Sequence, residues 1–368
     1  MPRNRAERVV RGKRIGILTG GGDCPGLNAS IRAIAKTAIL NYGMEVVGIK
    51  DGFLGLIENR FLRISYEDVS GILALGGTFL GASNKANPFR QPDSKGRFRD
   101  VSDLALKNYQ AMDLDGLVCI GGDGTLSIAY KLYKKGIKLV GVPKTIDHDL
   151  RQTDATIGFD SALITATQAI DKLHTTAQSH HRVMVIEVMG RYAGWLALYS
   201  GLAGGGDIIL LPEIPYDIKK VCEVVLKRNQ RGKRFSIVVV SEGARPKSGK
   251  MVVKRTVMDS TDPVRLGGIG EKIAGDIEKI TGLETRVTVL GHLQRGGEPS
   301  PFDRILATRF GMKACELVAK GDFGKAAVLQ SGEIRAIGLK KAVGDIRRVG
   351  SGDPIIKAAL AVGTSFGT

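Results

Sequence analysis

Short apolar runs alternate along this chain with segments whose apolar residues recur at helical spacing. The run RIGILTG at 14–20 ends in glycines, and NASIRAIAKTAIL at 28–40 then sets Ile31, Ile34, Ala35, Ala38 and Ile39 on one helical face. Further runs at 45–49 (EVVGI), 71–75 (GILAL), 115–120 (DGLVCI) and 138–142 (KLVGV) are expected strands. A second series follows: RVMVIEV at 182–188, DIILL at 207–211, FSIVVV at 235–240 and TRVTVL at 285–290. Between them, 161–177 and 269–280 read as helices, and DPIIKAALAV at 353–362 as a closing helix. Near-continuous Val/Ile runs separated by amphipathic helices indicate parallel sheets covered on both faces. Two such series imply two α/β units. No low-complexity linker separates them, so close packing is expected.

Length and composition agree with that picture. The chain has 368 residues, 43% hydrophobic and 25% charged, enough for about two domains. Its 49 glycines show no collagen-like period, which assigns them to strand-to-helix turns. No apolar run approaches the ~20 residues that span a bilayer, and no apolar stretch follows the basic start MPRNRAERVVRGKR as in a secretory signal. Cys24, Cys119, Cys222 and Cys315 lack CxxC spacing and read as reduced thiols of a cytoplasmic protein.

The net charge of +17 admits nucleic acid, an anionic surface or phosphorylated small molecules as partners. Nucleic acid is disfavoured, because aromatics are only 5% and the basic residues are spread along the chain. The exception is the tail at 1–12, which reads as a solvated basic arm. No membrane partner is indicated.

In open α/β sheets, ligands bind beyond the carboxyl ends of strands, and the unusual residues of this chain cluster there. GGGDCPGLN at 20–28 lets the backbone approach an anion at a helix start, though it is neither a P-loop nor GxGxxG. In GGDGT at 121–125, Asp123 can coordinate Mg²⁺ while glycine amides bind phosphate oxygens. That turn alone does not choose among sugar, NAD and lipid kinases. PKTIDHD at 143–149 adds Asp147 and Asp149, whose like charges need a nearby cation such as Mg²⁺ or Lys144. One carboxylate can then deprotonate a hydroxyl while the other orients the metal shell. His148 between them reads as a hydrogen-bonded packing residue, as do His180 and His181, and no histidine has zinc spacing.

Assembled, these motifs resemble the ATP- and pyrophosphate-dependent 6-phosphofructokinases. The resemblance covers roughly 13–345 and runs in the family's order through GGGDCPGLN, GGTFLG, GGDGT, PKTIDHD, SHHRVMVIEVMGRYAGW, LLPE, VSEGA, ETRVTVLGHLQRGG and SPFDR. It implies two three-layer α/β/α domains with mainly parallel sheets. Residues 1–158 with about 294–340 would bind nucleotide, and about 159–293 with 341–368 the sugar phosphate. Asp147 is implied as the base acting on the sugar 1-hydroxyl, with Asp149, Thr145 and Arg191 also catalytic, Thr145 lining the transfer path, and Thr145, Ile146 and Asp147 among the sugar-phosphate contacts. Gly21, Gly122, Asp123, Gly124 and Thr125 are implied around ATP, with Asp123 on Mg²⁺. The sugar 6-phosphate is implied to meet Arg182, Arg286, His292 and Arg295, with Leu293 and Gln294 as further sugar-phosphate contacts. Met189, Gly190, Arg191 and Glu242 surround the sugar itself. Because Arg182 and Arg286 reach across from a neighbouring subunit in the family, a homodimer or homotetramer with shared active sites is implied. One departure is that Asn84 stands where the family commonly has an arginine bridging donor phosphates, with Lys85 as the replacement cation.

The resemblance also frames the donor. Pyrophosphate-using relatives carry Asp at the position of Gly124 and Lys at that of Lys144, whereas typical bacterial ATP enzymes carry Gly at both. An Asp at 124 would compete with the α-phosphate in space and charge, and exclusion of this kind outweighs an extra cation in setting specificity. ATP is therefore the expected donor and fructose 6-phosphate the acceptor. The rivals are a pyrophosphate-dependent enzyme, supported by Lys144, and a non-catalytic sugar-phosphate-binding relative.

Overall fold

The apolar runs assemble into two separate sheets. A computed structural model describes residues 12–368 apart from 94, 248, 250, 252 and 257–263. Most of the basic tail therefore lies outside the described residues. The larger sheet has the strand order Glu333–Gly338, Lys325–Gln330, Leu139–Thr145, Gly116–Gly121, Arg14–Thr19, Glu45–Ile49, Phe61–Ile64. Its inner pairings are parallel, and the two edge pairings are antiparallel. The smaller sheet runs Ile208–Leu210, Ser236–Ser241, Val183–Val188, Thr285–Val289, all parallel.

Alternation within each strand sends side chains to opposite faces, and both faces are buried. Ile15 and Ile17 enter one core while Leu18 enters another; Val118 and Ile120 separate likewise from Leu117 and Cys119. In the smaller sheet, Met184, Ile186 and Val188 face away from Val183 and Val185. The face carrying Ile15 and the face carrying Ile186 share one continuous core, which also holds Ile31, Phe310, Ile170 and Trp195. That core joins the two sheets, so truncating Ile17 or Ile186 to alanine is expected to cost about 2–5 kcal/mol. Helices Leu27–Tyr42 and Pro301–Lys320 pack closely within it. A Cβ at Gly311 would lie 2.7 Å from the Cβ of Ala33 and 2.9 Å from the Ser30 carbonyl, so this crossing requires glycine.

The expected helices form as Leu27–Tyr42, Phe159–His180, Ile269–Thr281 and Pro354–Ala361. GILAL at 71–75 is a correction: it forms a 3₁₀ turn, Ile72–Ala74, rather than a strand. Gly71 enters it with φ 82, and only Ile72 is buried, so the run lacks the two covered faces of a strand. The edge strand Phe61–Ile64 and the hairpin Lys325–Gly338 are additional. The hairpin turns through Ser331 and Gly332, both at positive φ (51 and 82), which suits the twist of its flanking strands.

In each sheet the first strand in the chain has later strands on both sides. Arg14–Thr19 lies between Glu45–Ile49 and Gly116–Gly121, and Val183–Val188 lies between Ser236–Ser241 and Thr285–Val289. Such reversals open a crevice at the carboxyl ends of the strands. Those ends carry the turns beginning at Gly20, Gly122, Met189, Glu242 and Gly291.

Candidate active site

The first half of the cleft is built by glycine turns closing on one threonine. Thr125 is buried in the first turn of the helix Asp123–Lys134. A Cβ on Gly20 would lie 2.6 Å from its Cγ2, and one on Gly121 would lie 2.3 Å from its Cβ. The two strand ends can approach because both positions lack side chains. Gly21 adopts φ 76, a left-handed conformation that suits glycine. Asp123 Oδ1 accepts from the Gly344 amide at 3.0 Å. Gly124 is exposed, and a Cβ there would meet nothing within 4 Å. The unpaired amides of this helix start are suited to an anion. The neighbouring loop is tied to the same strand end, where the Thr19 hydroxyl donates to the Gly81 carbonyl at 2.8 Å. Asn84 and Lys85 are exposed just beyond it.

The carboxylates follow strand Leu139–Thr145. Ile146 is buried in the shared core, and the Asp147 amide donates to Thr145 Oγ1 at 3.1 Å. Burial raises the Asp147 carboxyl, while Arg295, Arg191 and Lys144 oppose that rise. Asp149 is raised too, first by burial and then by the charges of Asp147 and Asp123. The Asp147 charge thus disfavours ionisation of Asp149 beside it. Lys144 is 3% exposed and donates to the Gly22 carbonyl, and burial lowers its pKa. It ties the strand end to the first glycine turn instead of standing free as an extra cation.

The smaller sheet supplies the other wall. The Gly190 carbonyl accepts from the Ser241 hydroxyl and, at 3.1 Å, from the Gly243 amide, fixing the turn that carries Met189 and Arg191. Burial raises the Glu242 carboxyl, Asp147 raises it further, and Arg191 opposes both. Gln294 is fully buried; its amide nitrogen donates to the Gly291 carbonyl at 3.0 Å and its oxygen accepts from the Met189 amide at 3.3 Å. Arg295 then crosses to the first sheet, where Nη1 donates to the Asp23 carbonyl at 3.0 Å. A Cβ on Gly22 would lie 2.5 Å from that nitrogen, so a side chain there would displace the guanidinium. His292 and Leu293 are exposed on the same turn.

Asp123, Asp147, Asp149, Lys144, Arg191, Glu242 and Arg295 thus act on one another from both sheets. Arg182 and Arg286 stand apart from them. Both pair with Glu284, Arg182 at 2.9 Å, at the amino end of the smaller sheet. At ~3.3 Å per strand residue, Arg182 is roughly 20 Å from Met189.

His148 is buried with φ 52, stacks on Phe159 at 4.4 Å between centroids, and has Nε2 2.9 Å from Arg347 Nη1. Burial and then Arg347 push its pKa down to about 4, so it is a neutral packing residue at neutral pH. Sequence reasoning missed its partner. It also missed the amides of Gly344 on Asp123 and of Arg347 on the Asp149 carbonyl at 2.7 Å. Gly344, at φ 97, opens that segment, but a lone glycine turn does not say which strand ends its amides will reach.

Among the described residues, no group of three or more His, Cys, Asp or Glu could by itself cage a metal ion. Asp123, with Asp149 within electrostatic reach, offers one or two carboxylates. That fits Mg²⁺, which typically takes such a pair and completes its shell with water and substrate phosphates.

Comparison with known proteins places this cleft in context. The profile of the family described as Phosphofructokinase matches residues 14–318. The chain is 52% identical to the ATP-dependent 6-phosphofructokinase 2 of Clostridium perfringens, covering 96% of this chain and 98% of that one. It is 49% identical to the pyrophosphate–fructose 6-phosphate 1-phosphotransferase of Streptomyces coelicolor, covering 95% and 99%. Among solved structures, phosphofructokinase of Pichia pastoris in the T-state superposes with a TM-score of 0.78 at 31% identity. That match covers 96% of this chain and 37% of the longer one.

Proposed function

The chain belongs to the phosphofructokinase family, and on that premise we propose that it is an ATP-dependent 6-phosphofructokinase. It phosphorylates fructose 6-phosphate at the 1-hydroxyl, the committed sugar-phosphorylation step of glycolysis. The observation that carries this reading is the convergence of Asp123, Asp147, Arg191, Glu242 and Arg295 from two sheets on one cleft. The larger sheet holds the donor and the smaller sheet holds the sugar phosphate.

Asp147 acts as the general base. Burial raises its carboxyl, which strengthens it as a base, while Arg295, Arg191 and Lys144 favour the ionised form that can take a proton. Arg191 faces both the base and Glu242, where a guanidinium can hold a transferring phosphoryl oxygen. Glu242, Met189 and Gly190 orient the sugar hydroxyls, and Thr145 and Ile146 line the path beneath them. Asp123 would hold Mg²⁺ together with the donor phosphates, and the ion when bound supplies charge neutralisation on the transferred group. Glycine turns at 20–22 and 122–124 present backbone amides to those phosphates, and Asn84 and Lys85 border the same side.

Arg295 and His292 meet the sugar 6-phosphate on a turn that Gln294 braces. The position of Arg182 and Arg286, remote from Met189 in their own chain, supports a homodimer or homotetramer in which they complete a neighbour's phosphate site. A cytoplasmic setting is supported by four free, buried cysteines.

For the donor, similar relatives include named users of both ATP and pyrophosphate. The open, uncharged space at Gly124 favours ATP, because nothing there opposes an α-phosphate. Lys144 is the feature favouring pyrophosphate, yet its ammonium is already engaged by Gly22. Steady-state assay of both donors with fructose 6-phosphate and Mg²⁺ tests the proposal. Turnover with ATP supports it, and turnover confined to pyrophosphate reverses the donor assignment.

A further inference from the structure

The segment Gly344–Val349 touches every wall of the cleft. Its first amide, from Gly344, donates to Asp123 at 3.0 Å. Ile346 pairs with Leu150 in an isolated antiparallel bridge, and the Arg347 amide donates to the Asp149 carbonyl at 2.7 Å. Farther on, the Val349 amide donates to Glu213 Oε1 at 3.0 Å. Glu213 also accepts from the Gly194 amide at 3.0 Å, just past the turn that carries Met189 and Arg191.

Arg347 makes the most specific of these contacts. Its Nη1 lies 2.9 Å from His148 Nε2, which makes that ring nitrogen the acceptor. Its guanidinium covers the Trp195 ring at 4.6 Å, and the Trp195 indole N–H donates to its carbonyl at 2.9 Å. His148 needs such holding. It adopts φ 52, an uncommon left-handed conformation for a residue with a side chain, directly between Asp147 and Asp149. We propose that Arg347 is a positioning residue for the Asp147–Asp149 loop, acting through His148, and that Gly344–Val349 is the strap that keeps the donor, base and sugar walls in register. The proposal rests on the kinase reading of this cleft and adds to it a determinant outside its motifs.

The test compares wild type with Arg347→Ala and Arg347→Lys in ATP- and fructose 6-phosphate-dependent turnover, and in amide hydrogen exchange. A loop displaced by a fraction of an ångström is expected to lower kcat of Arg347→Ala about ten-fold or more, while both KM values stay within about three-fold. Arg347→Lys, which keeps one donor for His148, is expected to fall between. Arg347 lines an open cavity of about 350 Å³ with Arg151 and Gln330, so ethylguanidinium is expected to restore part of the alanine variant's kcat. Amides 146–150 are expected to exchange faster, with the strands Arg14–Thr19 and Val183–Val188 unchanged. If the alanine variant does not fold, the lysine variant carries the same comparisons.

Unchanged kcat, or wild-type exchange at 146–150, overturns the assignment. If the wild type itself shows no turnover, the kinase reading fails and exchange alone decides. Faster exchange confined to 146–150 then supports the positioning role, and unchanged exchange rejects it.

Discussion

Replacing Gly124 by aspartate isolates the electrostatic part of donor choice. The position is exposed, has no positive φ, and has no atom within 4 Å of an added Cβ, so the side chain fits without strain. It is the second residue of the helix Asp123–Lys134, where a carboxylate is favoured by about 0.3–1 kcal/mol. Thermal stability should therefore hold or rise slightly. The carboxylate would face the donor's α-phosphate at ~4 Å, which costs about 4 kcal/mol at an effective dielectric near 20 and about 1 kcal/mol in bulk water. Those limits correspond to losses of roughly 10³-fold and about five-fold in kcat/KM for ATP. A cleft enclosed by two sheets lies between them, and raised salt should shrink the effect. Steady-state assays with ATP and with pyrophosphate, at two ionic strengths, give the answer. Pyrophosphate turnover should suffer less, because no nucleoside-linked phosphate occupies that space. A loss for ATP below five-fold, or an equal loss for both donors, would refute the exclusion argument.

Two further outcomes are expected. His148 is held at a pKa of about 4, against about 6.5 when unfolded, so the unfolded chain takes up the proton first and stability falls as pH drops through that window. Urea unfolding of wild type and His148→Asn, an exchange that the left-handed φ tolerates, should show the difference between them shrinking by about 3 kcal/mol from pH 7 to pH 4. A constant difference would remove His148 as the cause. Arg182→Ala and Arg286→Ala should each raise KM for fructose 6-phosphate by roughly 10–100-fold, as lost charge-assisted hydrogen bonds do. Mixing either with Asp147→Asn subunits, after dissociation and reassembly, should recover activity that neither has alone, and no recovery would count against shared sites.

Much of this molecule was readable before any coordinates. The strands buried on both faces announce themselves as unbroken Val/Ile runs, and the glycine turns at 20–22 and 121–124 mark the strand ends that form the cleft. GILAL misled because a short apolar run carries no period, and only Gly71 and its left-handed backbone decide that it turns. The edge strand at 61–64 and the hairpin at 325–338 were harder, since half-exposed strands dilute the apolar signal. Asp147, Glu242 and Arg295 meet in space as their motifs suggested, whereas the remoteness of Arg182 and Arg286 depends on strand direction. The burial of Lys144 against Gly22 was hidden for another reason: a lysine reads as a surface charge until the carbonyl that receives it is located. Arg347 had no local signal at all, because its partners His148 and Trp195 lie 199 and 152 residues away in the chain.

The most direct measurement is phosphoryl transfer to fructose 6-phosphate by the wild-type protein and Asp147→Asn, with Mg²⁺ and either ATP or pyrophosphate. The account predicts turnover with ATP in the wild type and about 10²–10⁴-fold less in the variant, the usual loss when a general base is removed. Absence of turnover with both donors, or undiminished turnover in Asp147→Asn, would contradict it.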